Sequence, residues 1–111
     1  MVYLMSENDD EKKDGPTHDL EAIKAVFSEI KNLNITGSAL RDAAALGYGR
    51  EEIVEVIQSM ETDHFYKTMP SEKVPGLMQD VYRVPDGGME LYVKFTSDTV
   101  TEFKLLSFKE R

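Results

Sequence analysis

The chain contains no cysteine and no tryptophan, and only two histidines and four prolines. Without thiols there is no disulfide framework, no thiolate zinc site and no cysteine nucleophile. His18 and His64 stand far apart in sequence, and neither belongs to a metal-spaced pair or a His-Glu-x-x-His helix. A Gly-rich phosphate loop, a Gly-x-Ser-x-Gly turn and a paired-carboxylate motif are all missing. No apolar run approaches the roughly 20 residues of a membrane helix. The opening Met1-Val2-Tyr3-Leu4-Met5 is too short for a signal-peptide core and has no basic residues before it. The expectation is a cytoplasmic protein with no membrane partner, no metal and no cofactor. If it is an enzyme, it works with lysine, tyrosine, glutamine and arginine.

What is present fits one small globular domain. The 111 residues have room for a single core, with 41% apolar and 31% charged residues. The net charge of −8 is unevenly placed. Residues 1–14 hold five acids against two lysines, and residues 15–63 hold nine acids against four bases. Residues 64–111 hold seven of each. A polyanion is therefore expected to bind the last third, where bases can gather on one face.

Residues 1–14 read as a disordered acidic tail, since 6–14 lack any apolar member, and 15–111 read as the single domain. Leu20, Ile23, Phe27 and Ile30 follow the spacing of one helix face, predicting a helix over about 18–32 with Thr17 as its N-cap. Thr36-Gly37-Ser38 opens a second helix, closed by Gly47. A third begins at Arg50, with Ile53, Val56, Ile57 and Met60 buried and Glu51 and Glu52 suiting its positive end. After Asp63 the pattern alternates. Pro70 and Pro75-Gly76 bound a loop, Leu77–Val84 reads as a strand, and Gly87-Gly88 as a hairpin turn. Glu90–Thr96 is a half-buried strand, Ser97-Asp98-Thr99 a turn, and Val100–Lys109 the last strand. The class is α+β, with three N-terminal helices packed on a C-terminal antiparallel sheet.

A lysine, tyrosine and arginine set suffices for one reaction in particular, RNA cleavage by its own 2′-hydroxyl. The substrate carries the nucleophile. The enzyme must take the 2′ proton, protonate the 5′ oxygen and stabilise charge on the phosphate. A tyrosine or a desolvated lysine can move the protons when neighbouring cations lower its pKa.

The stretches His64-Phe65-Tyr66-Lys67-Thr68-Met69, Gln79-Asp80-Val81-Tyr82-Arg83, Leu91-Tyr92-Val93-Lys94 and Ser107-Phe108-Lys109-Glu110 resemble, in order and spacing, the MqsR family of toxin–antitoxin systems. Ser38-Ala39-Leu40 and Leu46-Gly47 agree in the helical part, so the likeness runs from about Pro16 to the C-terminus. The resemblance implies a RelE-like toxin fold, cleavage of mRNA at GC-containing sites, and silencing by a cognate antitoxin. It places the family's active-site set on Lys67, Gln79, Tyr92 and Lys109. Arg83 closes a matching Asp-Val-Tyr-Arg stretch, and Arg83 and Lys94 are expected to bind the RNA. The chain departs from the family in charge, since members can be basic and this one is acidic.

Taken singly, these residues read blandly. Lys67 is a solvated lysine, Gln79 a strand surface residue, Tyr92 a packing aromatic and Lys109 a frayed-end charge. Phe65, Tyr66, Phe103, Leu105, Leu106 and Phe108 read as core rather than a stacking platform, and Tyr82 alternates out of phase with Gln79 and Arg83. Alternation does supply a check free of resemblance: an antiparallel pairing puts Gln79, Arg83, Tyr92 and Lys94 on one solvent face, with Leu91, Val93 and Phe95 inward and Lys67 reaching in from the edge. Two other readings stand beside it. One is a non-catalytic relative that only binds its antitoxin. The other is a winged-helix DNA-binding module, though residues 50–61 hold one arginine against four glutamates. Finally, a three-residue turn pairs Val93 with Phe103 and Leu91 with Leu105. Apolar parity then changes between Leu105 and Leu106, which predicts a β-bulge there that turns Leu106 and Phe108 to the core and aims Lys109 at Tyr92.

Overall fold

Three short helices precede a four-stranded antiparallel sheet of order β1-β2-β3-β4, so the protein is α+β. The computed structural model describes residues 15–99 and 102–110; the acidic stretch 1–14, with Val100, Thr101 and Arg111, lies outside the described residues.

Helix α1 spans Leu20–Val26, much shorter than the 18–32 that periodicity predicts. Its N-cap is Asp19, whose carboxylate accepts from the Glu21 amide. Thr17 is diverted: its amide donates to Asp80, and its hydroxyl bonds that of Thr68. At the other end Gln58 donates to the carbonyls of Lys24 and Phe27, ending the helix there. The break takes Ile30 off the buried face; it sits in a 3₁₀ turn, Ile30–Asn32, 40% exposed. Helix α2, Gly37–Ala45, is capped by the Thr36 hydroxyl on the Ala39 amide, as its sequence predicts. Helix α3, Arg50–Ser59, begins where Glu52 accepts from the Gly49 amide, and it buries Ile53, Val56 and Ile57, with Met60 at its C-cap.

A second 3₁₀ turn, Thr62–His64, leads into β1, Phe65–Pro70, a strand that periodicity did not mark. Strands β2 (Met78–Asp86), β3 (Met89–Thr99) and β4 (Glu102–Glu110) follow. Gly87 and Gly88, both at positive φ, make the tight turn that pairs Asp86 with Met89. Strand β3 runs through Ser97-Asp98-Thr99, so the expected turn is displaced and the register differs from the one it implied. Val93 faces Phe108 rather than Phe103, and Leu105 faces Phe95 rather than Leu91.

One sheet face packs on the helices through Tyr82, Val84, Leu91, Val93, Phe95, Leu105 and Phe108. Phe27 of the α1 C-cap stacks on Phe95 at 5.8 Å between centroids. Burying each such side chain contributes about 1.5–3 kcal/mol. The outer edge of β4 is covered by 34–36, where Leu105 donates to Asn34 and accepts from Thr36. The winged-helix outline ends in a hairpin; this sheet has four strands.

Candidate functional site

The opposite sheet face carries the cations. Three cross-strand rows define it. In the central row Lys67 lies opposite Val81, Val81 opposite Lys94, and Lys94 opposite Ser107. The row on one side runs Arg83, Tyr92, Lys109, and the row on the other side runs Met69, Gln79, Thr96, Lys104. Lys67, Gln79, Arg83, Tyr92, Lys94 and Lys109 therefore share one face, on four adjacent strands. With a lysine opposite it on either side, Val81 is fully buried although it lies on this face.

Two bulges on the outer strands produce that convergence. Phe65 faces the core opposite Tyr82, and simple alternation would send Lys67 inward after it. A register shift at Tyr66 turns Lys67 outward instead. On β4, Leu105 pairs with Phe95 and Ser107 with Lys94, leaving Leu106 as the extra residue. Phe108 then points to the core and Lys109 pairs with Tyr92, as parity predicts. Leu106 itself stays half-buried on the cleft side, against the expectation that it joins the core. The bulge was legible from apolar parity on β4. At Tyr66 the same conflict lies between Phe65 and Lys67, on a strand too short for apolar alternation to show it.

Aromatic rings sit among the cations. The Lys67 ammonium lies 5.5 Å and the Arg83 guanidinium 4.9 Å from the Tyr66 ring centroid, and Lys109 lies 5.8 Å from that of Tyr92. Arg83 also makes a two-point contact with Glu90, at 3.0 and 3.2 Å, so an incoming phosphate has to share it. Tyr66 is half-exposed between these cations, another departure from a purely core reading.

Lys94 is the residue whose chemistry sequence reasoning understated. Burial lowers its proton affinity below the ordinary lysine value, and the positive charge of Lys109, then that of Lys67, adds to the effect while Glu72 opposes it. The resemblance places the active-site set on other positions and expects Lys94 only to bind RNA; the signal for more is its place in the middle of the face. Beside it opens a cleft of about 390 Å³, with Gln79, Lys94 and Ser107 on the sheet side, 69–73 along one wall, and Thr36, Ser38 and Leu106 along the other.

Asp80, next to Gln79 but on the core face, has a structural task. It is fully buried and accepts from the Thr17 and His18 amides at 2.9 and 2.7 Å, fixing the chain that enters α1. Tyr82 is core. Among the described residues no group of three His, Cys, Asp or Glu side chains could hold a metal ion, and no helix is long and apolar enough to cross a membrane.

A helix-backed antiparallel sheet whose free face gathers four lysines, an arginine, a tyrosine and a glutamine defines a small α+β protein equipped to engage a polyanion. The chain belongs to the MqsR toxin family, described as motility quorum-sensing regulator, toxin of MqsA, which matches residues 15–110. It is accordingly a toxin of a toxin–antitoxin pair, with an antitoxin as its partner. A search among curated proteins finds none that matches it.

Proposed function

We propose that the protein is an endoribonuclease that cuts mRNA in the cytoplasm at GC-containing sites, without a metal, by attack of the substrate's 2′-hydroxyl on the adjacent phosphorus. The cognate antitoxin silences it. The observation that carries this reading is the convergence of Lys67, Lys94 and Lys109 with Gln79 and Tyr92 on one sheet face.

The reaction forms the 2′-O–P bond and breaks the P–O5′ bond. Lys94, with its lowered proton affinity, has a neutral amine available at lower pH than an ordinary lysine and takes the 2′ proton. Lys67 and Lys109 flank the phosphate and oppose the charge that grows on its non-bridging oxygens. Gln79 donates a hydrogen bond to one of those oxygens. Tyr92, beside Lys109, gives its proton to the leaving 5′ oxygen. Arg83 holds a neighbouring phosphate and so positions the strand. The overall charge of −8 then confines RNA to this face, because the excess acid lies in the first 63 residues.

The test is cut mapping by primer extension on a transcript incubated with pure protein and EDTA, together with growth on induction. Cleavage leaving a 2′,3′-cyclic phosphate and a 5′-hydroxyl, with growth arrest, is expected. Products with 5′-phosphates or strict dependence on Mg²⁺ would mean attack by water. A folded protein that neither cuts RNA nor arrests growth would be an antitoxin-binding relative only.

A further inference from the structure

The cleft beside Lys94 is more than the lysine face requires. A phosphate held among lysines needs no walls, yet this cleft is bounded on both sides and holds about 390 Å³. That lies at the small end of the roughly 300–1,000 Å³ typical of small-molecule sites. Its lining is of two kinds. Met69, Pro70 and Leu106 offer apolar surface, while Gln79 and Lys94 belong also to the lysine face. Two exposed charged residues complete the wall, the acid Glu72 and the base Lys73.

Resting on the ribonuclease reading, we propose that this cleft is a subsite for one unstacked nucleobase next to the scissile phosphate, and that Glu72 reads the exocyclic amino group of that base. Continuity places it: a phosphate over Lys94 puts a flanking nucleotide within one residue's reach of the opening. Composition fits a base, whose apolar faces pack on Met69, Pro70 and Leu106 while its polar edge needs partners. Sequence-specific recognition of single-stranded RNA works in this way, by splaying bases out and bonding their edges. Glu72 names the edge. A carboxylate repels phosphate and, when ionised, only accepts hydrogen bonds. Its partner in an RNA site is therefore a donor; cytosine and adenine carry an amino group where uracil has its 4-carbonyl, and guanine carries one at C2. The bulge supplies the opposite wall, since Leu106 is the extra residue of β4.

The test uses RNA oligonucleotides built around a site that the wild-type protein cuts in a transcript, each flanking position carrying in turn C, A, G or U. kcat/KM is compared for wild type and Glu72→Gln, with circular dichroism to verify the fold. At one flanking position the wild type is expected to prefer amino-bearing bases over uracil by about tenfold or more. Glu72→Gln is expected to lose most of that ratio and keep the ratios at every other position. Glu72 also acts electrostatically on Lys94, but that influence changes the rate on all oligonucleotides by one factor and leaves the ratios alone. A uniform change, unchanged ratios, or a wild type indifferent to every flanking base would overturn the subsite and spare the ribonuclease. No cleavage of any RNA by the wild type would overturn the ribonuclease reading and the subsite with it.

Discussion

Asp80 lies between two residues of the candidate site, yet its removal should damage the fold rather than the chemistry. Its carboxylate is fully buried and accepts from the amides of Thr17 and His18 at 2.9 and 2.7 Å. Each hydrogen bond to a charged group contributes about 1.5–3 kcal/mol. Asp80→Asn keeps one acceptor oxygen but turns an NH₂ toward the second amide, so one bond is lost and the cost is about 1.5–3 kcal/mol. Asp80→Ala loses both and costs about 3–6 kcal/mol, a large share of the 5–15 kcal/mol that holds a typical domain. The assay is urea unfolding followed by circular dichroism, comparing midpoints at constant slope. A graded loss, alanine worse than asparagine, is expected. Equal midpoints for wild type and Asp80→Ala would refute the assignment, since neither amide would then depend on the carboxylate.

Other perturbations separate chemistry from packing. Lys67→Ala, Tyr92→Ala and Lys109→Ala should each cut toxicity and cleavage on the order of a hundredfold with the fold intact by circular dichroism; full toxicity in all three would remove the site assignment. If neutral Lys94 is the base, the rate rises with pH through its titration. Lys109→Gln removes the cation that most lowers Lys94 and moves that rise to higher pH, whereas Glu72→Gln removes the opposing acid and moves it to lower pH. A pH–rate profile of single-turnover cleavage reads both shifts, and shifts in the same direction would exclude Lys94. Tyr82 is buried with a hydroxyl that has no partner among the described residues, so Tyr82→Phe should raise stability by about 1 kcal/mol in urea melts.

Periodicity located what repeats within an element and failed where long-range partners decided. Helices α2 and α3 were legible because Thr36 and Arg50 mark their starts locally. Helix α1 was read too long because its ends are set by Asp80 and Gln58, one far along the chain and the other on another helix. Strand β1 was missed because its bulge at Tyr66 erases the alternation that announces a strand. The solvent face was legible on β2 and β3, whose regular pairing keeps Gln79, Arg83, Tyr92 and Lys94 in phase. The central position of Lys94 was not, because it depends on β1 and β4 closing in from both sides.

Leu106 gives the sharpest separation of the two parts of the site. Leu105 and Phe108 both face the core, and three positions apart they cannot do so on a regular strand. The extra residue reconciles them. Deleting it leaves Leu105, Ser107, Phe108 and Lys109 in simple alternation, with Ser107 still opposite Lys94 and Lys109 still opposite Tyr92. A bulge was therefore not the only way to aim Lys109; what it adds to the molecule is Leu106. The deletion removes the hydrogen bond from the Thr36 hydroxyl to the Leu106 carbonyl, worth about 0.5–1.5 kcal/mol. The shortened protein should thus fold with a urea midpoint close to wild type and retain cleavage through its lysine face. It should lose discrimination between flanking bases, because one wall of the cleft is gone. Loss of cleavage in a folded deletion variant would show that the bulge sets the position of Lys109 after all, and discrimination intact would show that Leu106 is no part of the subsite.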